Sequence, residues 1–203
     1  MRALIMAGGV GSRLNMGEKP LVTICEKPMI TYVIEAFAGA GMEVIVVASP
    51  KTPMTKNWCR AHGIPCFGAS GGGYIADVIE AAVELEEDHP FYTCVADLPC
   101  LDPDLIADIH AAYGASGLPA LSTWVPRSLC MQYDCRTRYI ERDGKTDICP
   151  AGVNILHGGH ITEEQAEHRL VIADRRLVFN INTRGELAMA RKHLCPENAS
   201  GRA

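Results

Sequence analysis

The sequence predicts an α/β fold, a mostly parallel sheet with helices on both faces, on three observations. Short apolar runs alternate with stretches of helical periodicity as far as Ala120. Val44–Ala48 and Phe91–Ala96 are almost continuously apolar, as in strands covered on both faces. The helical stretches carry their own start and stop residues. Together these give a βαβαβα rhythm and a single Rossmann-like sheet.

The elements follow in order. Arg2–Met6 is a short strand that runs into a glycine-rich loop. Pro28–Ala40 places Ile30, Val33, Ile34 and Phe37 at helical spacing and stops at Gly39 and Gly41. After the Val44–Ala48 strand come a short helix over Thr52–His62 and a short strand at Pro65–Phe67. Tyr74–Glu87 is a helix with Ile75, Val78, Ile79, Ala82 and Val83 expected to face inward. Beyond the Phe91–Ala96 strand, Asp102 caps a helix with Pro103 at its first position, running to about Tyr113. Leu121–Val125 and Gly152–Leu156 are expected strands, and Val171–Ala173 a weak one. Arg138–Lys145, with its Asp143-Gly144 pair, suits a hairpin. Thr183–Leu194 closes the chain with a helix opened by a Thr183-x-x-Glu186 capping box. The expected organisation is one domain over residues 1–195 and a disordered tail over 196–203.

Composition narrows the function. The 203 residues are 48% hydrophobic and 21% charged, which excludes disordered and collagen-like classes. A net charge of -5 argues against nucleic acid as a partner. No apolar run is long enough to span a membrane, and the N-terminus lacks a signal peptide's apolar region and cleavage site, so a cytoplasmic protein is expected. The nine cysteines show no C-x-x-C pair and are expected to be reduced and mostly structural. His157-Gly158-Gly159-His160 lacks further ligands nearby and suits a surface turn.

In such sheets ligands bind beyond the carboxyl ends of the strands, here after Met6, Ala48, Val95 and Val178. The first of these holds Ala7-Gly8-Gly9-Val10-Gly11-Ser12-Arg13-Leu14, then Glu18-Lys19-Pro20. Glycines let backbone N–H groups turn toward an anion, and Arg13 and Lys19 supply charge to phosphate oxygens. The loop has no P-loop lysine, and Leu14 stands where a dinucleotide fingerprint needs its third glycine. A nicotinamide oxidoreductase is therefore disfavoured. Asp97 ends an apolar strand and suits Mg²⁺ beside phosphates as a hard oxygen ligand. Asn182, or alternatively Asn180, would complete a metal site opposite it. Ser70-Gly71-Gly72-Gly73-Tyr74 opens a helix that also carries Asp77, and its glycines permit close approach to a flat base. Lys51, Thr52 and Lys56 offer two cations and a hydroxyl that suit a phosphate-bearing substrate.

With these residues assembled, the chain resembles the nucleotidyltransferases that begin with a GGxGSR loop and carry a strand-end Asp. Within that MobA-like superfamily it is most similar to the archaeal-type GTP:adenosylcobinamide-phosphate guanylyltransferases of cobalamin biosynthesis. The stretches that carry the likeness are ALIMAGGxGSR, Glu18-Lys19-Pro20-Leu21, Ser49–Lys56, Ser70–Asp77, Pro150–Asn154 and Phe179–Thr183. They lie within residues 1 to 190, and Arg127–Cys149 has no counterpart among them. The resemblance implies transfer of GMP from GTP to adenosylcobinamide phosphate, with release of pyrophosphate. It implies catalysis by Arg13, Lys19 and Asp97. Nucleotide binding would fall to Ala7, Gly8, Gly9, Gly11, Ser12, Ser49, Ser70, Gly71, Tyr74 and Asp77. Acceptor binding would fall to Lys51, Thr52, Lys56, Gly152 and Asn154. Two alternatives stay open: another guanylyl- or sugar-phosphate nucleotidyltransferase, such as a molybdenum-cofactor guanylyltransferase, and a non-catalytic GTP-binding protein.

Overall fold

A computed structural model describes residues 1–9, 11, 13–135 and 139–195. The expected tail over 196–203 and the expected site residue Ser12 lie outside these. Among the described residues, eight strands form the main sheet: β1 (Arg2–Met6), β4 (Glu43–Ala48), β5 (Cys66–Gly68), β6 (Pro90–Val95), β7 (Ala120–Pro126), β8 (Glu141–Asp143), β9 (Thr146–His157) and β10 (Glu167–Val171). Their order is β10-β7-β9-β6-β1-β4-β5, with β8 paired to β9. All run the same way except β9, which is antiparallel to β6, β7 and β8. A small hairpin of β2 (Thr23–Ile24) and β3 (Lys27–Pro28) stands apart from the sheet. The predicted α/β class is what the structure shows.

Central strand β1 explains the two covered faces. Successive side chains of a strand point to opposite sides, and residues 3 to 6 are all buried. Ala3 and Ile5 join a core with Ile30, Val33 and Phe37 of helix α1 (Met29–Gly39) and Ile106 of helix α4 (Pro103–Ser116). Leu4 and Met6 join another with Val78, Ala81 and Ala82 of helix α3 (Tyr74–Glu84). Helix α1 ends where glycine predicts: Gly41, at φ +77°, lets Met42 N–H reach Phe37 O at 3.0 Å and its own N–H reach Ala38 O at 3.0 Å. Asp102 caps α4 by accepting from Leu105 N–H at 2.9 Å. The capping box of the last helix, α6 (Arg184–Leu194), forms as expected.

Several expectations need correction. Helix α3 stops at Glu84, and Ile75 and Val83 are 74% and 55% exposed. The face against the sheet is the pair of i, i+4 rows through Asp77 and Val78, one residue round the helix from the expected stripe. Strand β9 has 12 residues rather than five, because Pro150 sits at an irregularity opposite Trp124 and Gly152 adopts φ +88°. The expected hairpin is β8–β9, turning through Gly144-Lys145, and its first expected residue, Arg138, lies outside the described residues. Strand β10 ends at Val171 instead of beginning there. Cys25 and Cys195 form a disulfide where reduced thiols were expected, with Cα atoms 6.0 Å apart. Helix α6 lies across the β2–β3 hairpin, with Arg191 Nη2 donating to Thr23 O at 2.8 Å, and so brings the two sulfurs together. Cys59, Cys94 and Cys100 are buried as expected, and burial pushes the Cys100 thiol up to about 12.

Among the described residues no helix is long and apolar enough to cross a membrane. The Gly158–His160 turn is less superficial than expected, because Gly158 is buried. A Cβ on Gly158 would fall 1.7 Å from the Glu87 carbonyl oxygen. Backbone must move to admit it, so Gly158→Ala is expected to cost about 1–3 kcal/mol, measurable as a lowered urea midpoint. An unchanged midpoint would show that this turn is not packed as described.

Candidate active site

The carboxyl ends of β1, β4 and β6 open onto a cavity of about 400 Å³. Three backbone bonds stitch the loops beyond them together. Ala7 N–H donates to Val47 O at 2.8 Å, Ala96 N–H to Met6 O at 3.1 Å, and Ile181 N–H to Asp97 O at 2.9 Å. The last of these brings the Asn180–Asn182 segment against the end of β6, although no strand leads into it.

One polar cluster results. Lys19 Nζ forms an ion pair with Asp97 Oδ2 and donates to Asn182 Oδ1 at 2.9 Å. Arg13 Nη2 donates to the same oxygen at 3.1 Å. Asn182 Nδ2 in turn donates to Asn180 Oδ1 at 2.7 Å. Asp97 is only 9% exposed, and its Oδ1 is buried with no hydrogen-bond partner among the described residues. A carboxylate oxygen left so is expensive unless a cation or donor completes it. Asp97 and the amide oxygens form an all-oxygen donor set, and the described residues offer no cluster of three His, Cys, Asp or Glu. Such a set fits a hard cation that takes its remaining ligands from phosphates and water.

The opposite wall belongs to the Gly71–Asp77 segment. Asp77 is 6% exposed, stands in the first turn of α3, and accepts from Gly71 N–H at 3.0 Å through Oδ1. A negative charge is stabilised there by the helix N-terminus. Tyr74 lines the cavity, and its hydroxyl donates to Thr93 Oγ1 at 3.2 Å; burial raises its pKa, with Thr93 and Asn154 as hydrogen-bonding neighbours opposing the rise.

Of the expected site residues, Ala7, Gly8, Gly9, Gly11, Arg13, Lys19, Lys51, Gly71, Tyr74, Asp77, Asp97 and Asn182 line this cavity. Ser49 does not, but its Oγ donates to Gly8 O at 2.8 Å and so shapes the loop. Ser70 turns to Glu80, with its Oγ donating at 2.6 Å. Thr52 is buried and accepts from Ser49 N–H at 3.1 Å. Lys56 lies beside Gly68 on β5. Gly152 packs on Val95, whose Cγ2 would be 2.7 Å from an added Cβ, and Asn154 sits in β9 between Thr93 and Ser122.

Glu18 is the contributor that the sequence reading left without a role. Its carboxylate accepts from Met54 N–H at 2.7 Å, Thr55 N–H at 2.6 Å and Thr55 Oγ1 at 2.7 Å. It thereby satisfies two of the orphan donors of helix α2 (Pro53–Ala61) and pins the loop carrying Lys19. Its place immediately before Lys19-Pro20 was the available signal. Gly11 adds a second constraint, since an added Cβ would meet Lys19 Cβ at 2.4 Å.

Comparison with known proteins identifies the family. The chain is 32% identical over 201 residues to the adenosylcobinamide-phosphate guanylyltransferase of Methanocaldococcus jannaschii, covering 94% of this chain and 95% of that protein. It is 33% identical over 135 residues to the mannose-1-phosphate guanyltransferase of Candida albicans, covering 58% of this chain and 36% of that relative. A solved CMP:2-keto-3-deoxy-manno-octonic acid synthetase, complexed with CTP, superposes with a TM-score of 0.72 over 97% of this chain and 98% of its own, at 16% identity. That likeness concerns the fold alone. The profile of the MobA-like NTP transferase domain matches residues 3–151. The chain belongs to the MobA-like NTP transferase family and is a nucleotidyltransferase.

Proposed function

We propose that the chain, as one cytoplasmic domain over residues 1–195, transfers GMP from GTP to adenosylcobinamide phosphate, giving adenosylcobinamide-GDP and pyrophosphate. The observation that carries this reading is end-to-end similarity to a guanylyltransferase of that name, through 94% of the chain. The mannose-1-phosphate relatives share a smaller part.

The residues suit the chemistry. The acceptor is a phosphate monoester, already largely dianionic at neutral pH because its second pKa is about 6. It needs no general base, in keeping with a cavity whose acidic and basic lining residues, among those described, are two aspartates, two lysines and an arginine. The obstacle is repulsion between anions. Arg13 and Lys19 offset it, and the N–H groups of Gly8, Gly9 and Gly11 supply further donors to the triphosphate. Asp97 with Asn182, or Asn180, would hold Mg²⁺, whose positive charge neutralises the phosphates and the leaving pyrophosphate when it is bound. Asp77 favours guanine: its carboxylate accepts only, and guanine presents the N1–H and 2-amino donors where adenine's N1 is an acceptor.

A second reading, another guanylyl- or sugar-phosphate nucleotidyltransferase, is favoured by the similarity to the mannose-1-phosphate relatives. Pyrophosphate release from GTP, with adenosylcobinamide phosphate, mannose 1-phosphate or molybdopterin as acceptor, tests both. Turnover is expected with the first alone. Release with another acceptor replaces the proposal by the second reading, and GTP binding without release leaves a binding protein.

A further inference from the structure

Helix α2 and strand β5 bring two thiols and a cation together at the edge of the sheet. Lys56 and Cys59 stand three residues apart on α2 and so share a face of the helix. Cys66 and Gly68 stand two apart on β5 and share a face of the strand. The two faces meet, since Lys56 Nζ would lie 2.8 Å from a Cβ on Gly68. A tight return closes the unit, with Ile64 N–H donating to Cys59 O at 2.9 Å. Cys59 is fully buried, and the half-buried Cys66 packs against the same core. The two thiols hydrogen-bond to each other. Strand β5 ends the strand order, so beyond Cys66 the described residues place no further strand.

These surroundings suit a thiolate at Cys66. The hydrogen bond from Cys59 lowers its pKa most; burial opposes the shift, and the Ala48 backbone and the Lys56 ammonium add to it. Cys59, as the donor, moves the other way. Burial raises Cys94, Cys100, Cys130 and Cys135. A partly exposed thiol beside a cation is the reactive kind, and a buried neighbour within bonding reach is the partner that can resolve it.

We propose that Cys66 and Cys59 form a redox-reactive pair, which a low-molecular-weight disulfide converts into an intramolecular disulfide joining β5 to α2. The Cys66 thiolate attacks one sulfur of the small disulfide, whose S–S bond breaks, and one small thiolate leaves with the electron pair. Cys59 then gives up its proton to solvent and attacks Cys66 Sγ, expelling the second small thiolate. Two protein thiols are oxidised, and one small disulfide is reduced to two thiols. Neither cysteine lines the active-site cavity, so the pair is independent of the transferase reading. It also gives Lys56 a task, as the cation beside the attacking sulfur.

The test is alkylation of the full-length protein with iodoacetamide, followed residue by residue by mass spectrometry, and then treatment with glutathione disulfide. Cys135 is the control, since it too is half-buried. At pH 7 Cys66 is expected to react at least about tenfold faster than Cys135, because its thiolate fraction is larger. The titratable groups that bear on Cys66 are Cys59 and Lys56, both from α2. Lys56→Met is therefore expected to shift the pH midpoint of Cys66 alkylation upward and leave Cys135 unchanged. Glutathione disulfide is expected to link Cys59 to Cys66 in the wild type and to stop at a mixed disulfide on Cys66 in Cys59→Ala. Alkylation of Cys66 no faster than that of Cys135 overturns the proposal, and so does a mixed disulfide that persists in the wild type. Both readings come from the unsubstituted chain, so they decide the matter even if Cys59→Ala does not fold.

Discussion

Asp97→Asn is expected to slow pyrophosphate release by about three orders of magnitude, in line with the loss of a preorganised charge at a reacting phosphate. The replacement is nearly isosteric, so the loop keeps its shape while the two carboxylate functions are lost. Oδ2 ceases to balance Lys19, and the partnerless Oδ1 can no longer complete a cation site. Stability should change far less. Lys19 keeps its bond to Asn182 and the cavity is open to water, so a loss of about 1–3 kcal/mol is the expected scale for a charged hydrogen bond. Lys19→Ala should behave alike, leaving Asp97 buried without its cation. The check is single-turnover kinetics beside thermal unfolding of the same samples. A near-normal rate in Asp97→Asn would remove Asp97 from the machinery. A rate loss no larger than the loss of folded protein would reduce it to a structural residue.

Gly8→Asp is expected to weaken GTP binding about a hundredfold or more, since each tenfold corresponds to about 1.4 kcal/mol and like charges in contact cost several. A Cβ at Gly8 would sit 3.0 Å from Ser49 Cβ, 3.3 Å from Ser49 Oγ and 3.4 Å from Asp77 Oδ2. The first contacts already strain the Ser49–Gly8 bond that shapes the loop. The added carboxylate then stands beside Asp77 and faces the incoming triphosphate. Gly8→Ala separates the effects, because it brings the contact without the charge and should lose much less affinity. Calorimetric titration with GTP measures both. Equal losses in the two variants would assign the effect to bulk alone, and normal binding by Gly8→Asp would mean the loop does not approach the nucleotide.

The features legible in the sequence were those written within a few residues of one another. The Asp102 cap, the Thr183–Glu186 box and the glycine stop of α1 need only local chemistry, and they stand where expected. Asp97 and the Arg13–Lys19 loop were legible because strand ends are where a parallel sheet exposes polar side chains to a ligand. Long-range facts were not written that way. The expected strand began at Gly152, yet a proline costs nothing at an irregularity where no donor is needed, so β9 already runs through Pro150 from Thr146. Thr52 and Lys56 matched a phosphate site in residue type. The start of α2 instead turns Thr52 onto the Ser49 backbone, and the helix sets Lys56 over Gly68. The Cys25–Cys195 pairing spans 170 residues and depends on where α6 comes to rest, which no spacing rule encodes.

The reversed direction of β9 bears on how such a protein can change. Strands β1, β4 and β6 hold the nucleotide half in a fixed parallel register. Strand β9 enters the sheet at the edge where β6 and β7 finish, so the excursion through α5 (Arg127–Gln132) and β8 begins and ends at the reaction mouth. Loops attached by both ends to one rim lengthen at little entropic cost. Insertions or exchanges there would rebuild the acceptor side without shifting one hydrogen bond between β1 and its neighbours. The sheet thus separates a parallel part, which borders the cavity beyond β1, β4 and β6 and must stay constant, from a rim free to be retailored.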